Sequence, residues 1–406
     1  MHPASPSQVV VVGIGADGWD GLPTSSRAAI ERAEVLLGSA RQLALVADSV
    51  RAERVPWPSP LSEALPGLVD RHSDRAIVVL ASGDPMLSGI GTTLTRLLGH
   101  DRVRVLPAPS SVSLACARMG WPVEETPVVT LVGRPVELLH PHVQPGRRLL
   151  VLGSDSAAPA AIAALLTERG FGDSTLAVLG DLGGPDETVR SGTAAGWSGP
   201  GPALAVTAVE CRADQGTVPL PTTPGLPDGA YESDGQLTKA DVRAVTLARL
   251  VPVPGQLLWD VGAGAGSVGI EWMRVDPASR AVAVESSPER AARISRNAAR
   301  LGVPALRVVT GRAPEALAGL PRPDAVFIGG GLTVPGVPEA CWEALPSGGR
   351  LVANAVTVQS ETVLAAWSAG VGGDLVRIGV QHAEPVGRFT GWRPAMPVTI
   401  WSVVKP

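Results

Sequence analysis

The sequence is short of several things, and each shortage closes off a class of protein. Cysteine occurs only at Cys116, Cys211 and Cys341, widely spaced and never as a CxxC pair. That argues against a disulfide framework and against a zinc ribbon. Lysine occurs only at Lys239 and Lys405, the net charge is −4, and no basic stretch is interleaved with aromatics. A nucleic-acid partner is therefore not expected. No run of about 18 apolar residues appears, so no membrane span is expected. Residues Met1 to Gln8 lack a basic leader and run straight into a strand, so no signal peptide is expected and a soluble, cytoplasmic protein is the default. Tyrosine occurs once against ten tryptophans, most of which are read as packing residues.

What is present points to large cores. The 406 residues suggest two to three domains, and 45% are hydrophobic against 18% charged. Glycine (47) and proline (38) are abundant, as many tight turns between short elements require. Arginine supplies nearly all the positive charge. That bias follows from the base composition of a gene, from a need to fork onto the carboxylates of a polycarboxylate substrate, or from both.

Strands alternate with helices along the whole chain, which implies layered α/β architecture. Strands are predicted at Val9–Val12, Ala76–Leu80, Val103–Leu106, Val128–Val132, Leu149–Leu152, Leu176–Leu179 and Leu204–Val209. A helix is predicted from about Thr24 to Leu37. Composition then shifts: Pro219, Pro221, Pro224 and Pro227 fall in a stretch with little periodicity. We read 1–212 as one domain, 213–229 as a proline-stiffened linker and 230–406 as a second domain. The second restarts with a helix over Thr238–Leu250. It continues through strands at Leu257–Val261, Ala281–Glu285, Leu306–Thr310, Ala325–Ile328 and Arg350–Ala355, with helices between them. This is the doubly wound, Rossmann-like pattern.

The strongest motif is Leu258-Trp259-Asp260-Val261-Gly262-Ala263-Gly264-Ala265-Gly266-Ser267, a strand feeding a glycine loop that opens a helix. Glycine there permits unusual dihedrals and close approach of a ligand to the backbone. Glu285 closes the next strand, where an acid can bind a ribose diol. The stretch Gly264–Gly269 also spells GxGxxG, the dinucleotide pattern. Asp260 discriminates: its carboxylate would repel a pyrophosphate and would attract the ammonium of a methionine moiety. The loop therefore favours S-adenosylmethionine, with an NAD(P)-dependent oxidoreductase as the alternative. Ala313 and Gly329 lie after later strands and should gather at the same sheet edge.

With Leu237-Thr238-Lys239, Arg243-Ala244, Ile270-Glu271-Trp272, Phe327–Gly330 and Gly348–Asn354, the second half resembles the decarboxylating precorrin methyltransferase domain, from Leu226 onward. The resemblance implies a class I methyltransferase fold, and it implies cofactor contacts at Thr238, Gly262, Ala263, Gly264, Ala265, Gly266, Glu285 and Ala313. In the first half, Gly13–Gly18 is a weak motif by itself. Together with Ser82–Gly89 and Pro107–Ser111 it resembles the tetrapyrrole methylase family, over Val9 to about Val209. That family has two α/β subdomains with the cofactor between them, which implies contacts at Gly15, Asp84, Leu87 and Ser110. Ala108 stands where many members have glycine. The order of the two halves resembles the precorrin-6Y methyltransferase family. That implies one S-adenosylmethionine per domain, methylation of carbons 5 and 15 of precorrin-6B, and loss of carbon dioxide from the ring C acetate to give precorrin-8X, a step of cobalamin biosynthesis. Related domains commonly associate, so a homo-oligomer is expected.

A sulfonium methyl is already activated, so alignment and exclusion of water are the main demands, and no catalytic triad is needed. No proton donor stands out. Asp234 and Lys239, ahead of the first helix of the second half, are candidates for a substrate role or else a solvated helix flank. Arg388 and Arg393, beside Trp392, are candidates for holding substrate carboxylates, or else part of an exposed strand pair. The pair His140-Pro141-His142 lacks any further His, Cys or acid cluster, so no metal site is expected.

Overall fold

The structure is a computed structural model in which residues 8–406 are described. Residues 1–7, on which the expectation of no leader rests, lie outside the described residues. Among the described residues no helix is long and apolar enough to cross a membrane.

The chain forms two compact units, one of residues 8–136 and 145–217 and one of residues 137–144 and 218–406. In the first unit β1 (Val9–Ile14), α1 (Gly18–Gly21), α2 (Thr24–Glu31), β2 (Val35–Gly38), α3 (Ala40–Ala44), β3 (Glu53–Pro56), α4 (Leu61–Arg71), β4 (Ile77–Ser82), α5 (Ile90–Leu98) and β5 (Val103–Leu106) build an all-parallel sheet. Its order is β3-β2-β4-β1-β5. The central strands β1 and β4 are buried along most of their length, as β-branched runs covered on both faces must be. A second sheet follows, made by α6 (Ser111–Met119), β6 (Val128–Thr130), β7 (Arg148–Leu152), α7 (Ala158–Glu168), β8 (Thr175–Gly180), β9 (Thr188–Thr193) and β10 (Ala205–Glu210). Its order is β6-β7-β10-β8-β9, antiparallel except for β6 on β7.

The second unit contains α8 (Ala240–Leu250), β11 (Leu257–Val261), α9 (Ser267–Val275), β12 (Arg280–Glu285), α10 (Pro288–Arg300), β13 (Arg307–Thr310), β14 (Ala325–Ile328), α11 (Val337–Ala344), β15 (Arg350–Ala355), α12 (Val358–Val371), β16 (Asp374–Ile378), β17 (Gln381–Val386), β18 (Phe389–Pro394) and β19 (Val398–Val404). Seven strands form one sheet in the order β13-β12-β11-β14-β15-β19-β16. The first five are parallel, and β19 runs antiparallel between β15 and β16. The order reverses between β11 and β14, which puts a crevice at the carboxyl ends of those strands. Two cores cover the two faces, one around Trp272 and Phe327 and one around Trp259 and Trp401.

Three differences from the sequence reading have physical causes. The helix expected to reach Leu37 stops at Glu31, and Val35–Gly38 is a fully buried strand. A short apolar run has no periodicity to tell a covered strand from a buried helix turn. The strands β3 and β9 went unnoticed because they are mostly polar and exposed at sheet edges. The proline-stiffened stretch read as a linker is bonded to the second unit beyond Thr217, which composition does not show. Leu226 is buried in the core around Trp272 and Phe327, and the Leu220 carbonyl accepts from Gln144 (2.8 Å) and Arg274 (2.7 Å).

Candidate functional site

The glycine loop follows β11 at the point where the strand order reverses. Gly262, Gly264 and Gly266 all have positive φ, and a Cβ at Gly262 would lie 2.6 Å from the backbone of Gly330. A Cβ at Gly264 would lie 2.7 Å from the carbonyl oxygen of Gln236. The loop is thus pressed between two other backbones, and only glycine fits. Glu285, buried at the end of β12, accepts from the Gly264 amide through Oε2 (2.9 Å) and from the Ser287 amide through Oε1 (2.9 Å).

A cavity of about 800 Å³ opens over this loop. Among the residues singled out by sequence, Thr238, Lys239, Gly262, Ala263, Gly264, Glu285, Ala313 and Gly329 line it, and Ala265 and Gly266 are not among its lining residues. Gly266 packs on Ile294, so its role is to let α10 approach. Gln236, Arg312, His382, Asn354 and Met396 also line the cavity and were not picked out as site residues. His382 and Met396 belong to no motif and come from β17 and the loop after β18, far along the chain from the glycine loop.

Asp260, expected to meet a ligand ammonium, lies at the end of β11 and is not among the residues that line the cavity. It is 1% exposed, and its Oδ2 accepts from the Gly269 amide at 2.9 Å inside α9. Its Oδ1 has no partner. Burial pushes its pKa up to about 7, opposed by the Gly269 hydrogen bond and helped by the charge of Glu285. A carboxyl in that position ties strand to helix beneath the loop.

The segment ahead of α8 lies over the loop and is strapped down by buried polar groups. Glu271, on α9, accepts from the amides of Gly225 (2.6 Å) and Leu226 (3.1 Å), from the Tyr231 hydroxyl (2.8 Å) and from Arg243 Nε (2.6 Å). Arg243, wholly buried on α8, also donates to the carbonyls of Thr238 and Leu226. Asn297 joins Glu232 (2.9 Å through its oxygen) to the Ala265 carbonyl (3.0 Å through its amide). Arg243 and Glu271 belong to stretches that carried the resemblance. Their part is to hold this cover.

The catalytic candidates divide. Asp234 accepts from Arg290 (2.8 Å) and pairs with Arg293 (3.2 Å), and the Arg290 hydrogen bond, with that of the Gln236 amide, holds its carboxyl well below the usual range. Those contacts favour its anionic form. Lys239 lines the cavity, 3.4 Å from Asp228. Arg388 sits on the turn of the β17–β18 hairpin with its guanidinium over Phe389, and Arg393 pairs with Glu384 at 2.9 Å. Neither lines the cavity. His140 and Pro141 pack on Gly302, and among the described residues no cluster of His, Cys, Asp and Glu could hold a metal ion.

A second cavity, of about 460 Å³, lies in the first unit between its two sheets. Gly15, Leu87 and the Ser82–Gly83 turn line it. Asp84 and Ser110, expected to contact a ligand, serve their own loops. Asp84 Oδ1 accepts from the Met86 amide (2.8 Å), and Ser110 caps α6 through the Ser113 amide (3.0 Å). Gly13 has backbone closing on both sides: a Cβ there would meet the Gly83 oxygen at 2.0 Å and the Ala108 nitrogen at 2.6 Å. Ala108 itself is accommodated. Arg41 and Trp57, which no motif flagged, also face this cavity.

The sheet order of the second unit, its glycine loop at the reversal and the acid ending the next strand define a Rossmann-like class I methyltransferase domain. It follows a unit of two α/β subdomains with a cavity between them. Residues 229–405 match the sequence model of the precorrin methyltransferase domain, and residues 8–196 match that of the tetrapyrrole (corrin/porphyrin) methylases. A protein of Sinorhizobium sp. named precorrin-6Y C(5,15)-methyltransferase [decarboxylating] is 50% identical over 98% of this chain and 96% of its own length. Two shorter relatives each match under half of the chain. The probable cobalt-precorrin-6B C(15)-methyltransferase (decarboxylating) of Pyrobaculum calidifontis is 39% identical over 44% of this chain and 94% of its own. The cobalt-precorrin-7 C(5)-methyltransferase of Salmonella typhimurium is 31% identical over 45% of this chain and 89% of its own. The chain belongs to the decarboxylating precorrin-6Y C(5,15)-methyltransferase family, whose members are C-methyltransferases of cobalamin biosynthesis. These likenesses give no support to the oxidoreductase alternative.

Proposed function

We propose that the chain is a soluble, cytoplasmic enzyme that binds one S-adenosylmethionine in each unit, methylates carbons 5 and 15 of precorrin-6B and releases the ring C acetate carboxyl as carbon dioxide, giving precorrin-8X. The second unit takes carbon 15 and the decarboxylation, and the first takes carbon 5. The observation that carries the reading is the backbone cradle at Gly262 and Gly264, which a Cβ would fill, beside the carboxylate of Glu285 at the rim of a cavity large enough for a drug-sized ligand. The fit in the first unit rests on Gly15 and Leu87 around the smaller cavity.

When bound, the cofactor supplies a methyl on a sulfonium, which needs no further activation. In the second unit, the glycine loop, Glu285 and Ala313 would hold it, and the Gln236–Thr238 backbone covers the loop. Arg243 and Glu271 keep that cover in place, so water is excluded where the methyl moves. In the first unit, Gly15 and Leu87 would hold it. The acceptor carbons are electron-rich, so no residue has to act as a strong base.

Calorimetric titration with S-adenosylhomocysteine, with NADH as control, tests the reading. Two sites per chain are expected, one lost in Leu87→Arg and the other in Gly264→Arg. A single site refutes the two-cofactor reading, and binding of NADH alone refutes it entirely.

A further inference from the structure

Formal charge sorts the cations around the first unit's cavity. Arg41 is the one Lys or Arg among the described residues lining it. Among the described residues no acidic side chain lies within ion-pair distance of its guanidinium, although many other arginines of the chain are paired. It is also held. One guanidinium nitrogen, Nη2, donates to Ser82 Oγ at 2.8 Å, and the neighbouring Gln42 Nε2 donates to the same oxygen at 3.1 Å. Gln42 is buried and itself fixed by a capping box with Ser39, so the whole cluster is anchored to α3. Ser82 ends β4, beside the loop that carries Gly83 and Leu87. The remaining guanidinium donors are left for a ligand, with the Trp57 ring lining the same cavity. A planar fork held by a neutral hydroxyl, with no acid at ion-pair distance although Asp181 lines the same cavity, suits a carboxylate.

We infer that Arg41 is a positioning residue of the first unit, gripping a peripheral carboxylate of the tetrapyrrole while the Trp57 ring borders the same space. The inference rests on the proposed function and goes beyond it, because it names what selects a polycarboxylate in this cavity. The methionine part of the cofactor also bears a carboxylate, and the test separates the two sources.

The measurement uses the full chain, wild type and Arg41→Gln and Arg41→Lys, with enzymatically prepared precorrin substrate and mass-spectrometric counting of each methyl and of the lost carboxyl. In parallel, S-adenosylhomocysteine binding is titrated. For Arg41→Gln the KM of the carbon-5 methylation rises about 10- to 100-fold, the range expected for losing hydrogen bonds to a charged group. Its kcat at saturation falls less, Arg41→Lys recovers part of the KM, and S-adenosylhomocysteine binds at both sites as in wild type. An unchanged KM overturns the inference. So does weakened S-adenosylhomocysteine binding, which would assign Arg41 to the cofactor or to the fold. If the wild type itself transfers no second methyl group, the proposed function fails before Arg41 is at issue.

Discussion

Replacing Glu271 with alanine removes four acceptor contacts at once. The carboxylate is 1% exposed and takes hydrogen bonds from two backbone amides, one hydroxyl and Arg243, whose side chain is wholly buried. The substitution leaves a buried guanidinium with only the more exposed Asp228, 3.5 Å away, as counter-charge, and the Gly225 and Leu226 amides unpaired. Breaking a buried pair from one side costs roughly 3–5 kcal/mol. For a unit of this size each kcal/mol moves the melting temperature by about 2–4 °C, so the transition of the second unit should fall by roughly 6–20 °C. The first unit contains none of these groups, and its transition should stay in place, which differential scanning calorimetry of the full chain reads directly. The same variant should bind S-adenosylhomocysteine more weakly at the second-unit site below its melting point, since the strap over Gly264 loosens. Adding Arg243→Met to the same chain removes the stranded charge, so the double variant should lose less than the sum of the two singles. A shift under about 3 °C, or an additive double variant, would refute the reading of this network as a coupled clasp.

Asp260 gives a pH prediction. Its folded pKa near 7 stands above the value of about 3.9 expected when unfolded. The folded form is therefore the tighter proton binder, and this group's stabilisation is complete below about pH 4, declines as the pH rises to about 7 and is gone above it. The span is on the order of 4 kcal/mol. Denaturant unfolding between pH 5 and 8 should show that decline in wild type, and a flatter profile in Asp260→Asn. Gly264→Ala should lower S-adenosylhomocysteine affinity in the second unit at least about tenfold in calorimetry, because its Cβ would press on the Gln236 carbonyl. It should also cost about 1–2 kcal/mol in denaturant unfolding, from a positive φ without glycine.

Strand and glycine-loop signals were legible where local sequence alone decides them. β5, β11, β14 and β15 run where their apolar runs predicted, and the loop after β11, marked by its glycine spacing, sits at the sheet reversal. Side-chain direction was not legible. Asp260 sits two residues before Gly262, which suggested a ligand, yet strand alternation and the first turn of α9 turn its carboxyl inward to Gly269. Asp84 and Ser110 were chosen by motif, and Asp84 Oδ1 and Ser110 Oγ each accept from a backbone amide nearby in the chain, a common use of such residues at turns and caps. Arg41 and His382 reach their cavities from elements that carried no motif, so only the folded chain puts them there.

The stretch after Thr217 has the composition of a spacer and the bonding of a core. It carries almost no regular structure, yet the amides of Gly225, Leu226 and Glu232 end on buried carboxylate or carboxamide oxygens. Deuterium should enter those amides as slowly as it enters a central strand, and a protease should find few openings there. Tolerance to inserted residues should accordingly change within a few positions. Added length at the exposed Val218–Pro219 is absorbed by loop, whereas added length beyond Gly225 shifts the backbone that roofs Gly264 and is felt as lost cofactor affinity.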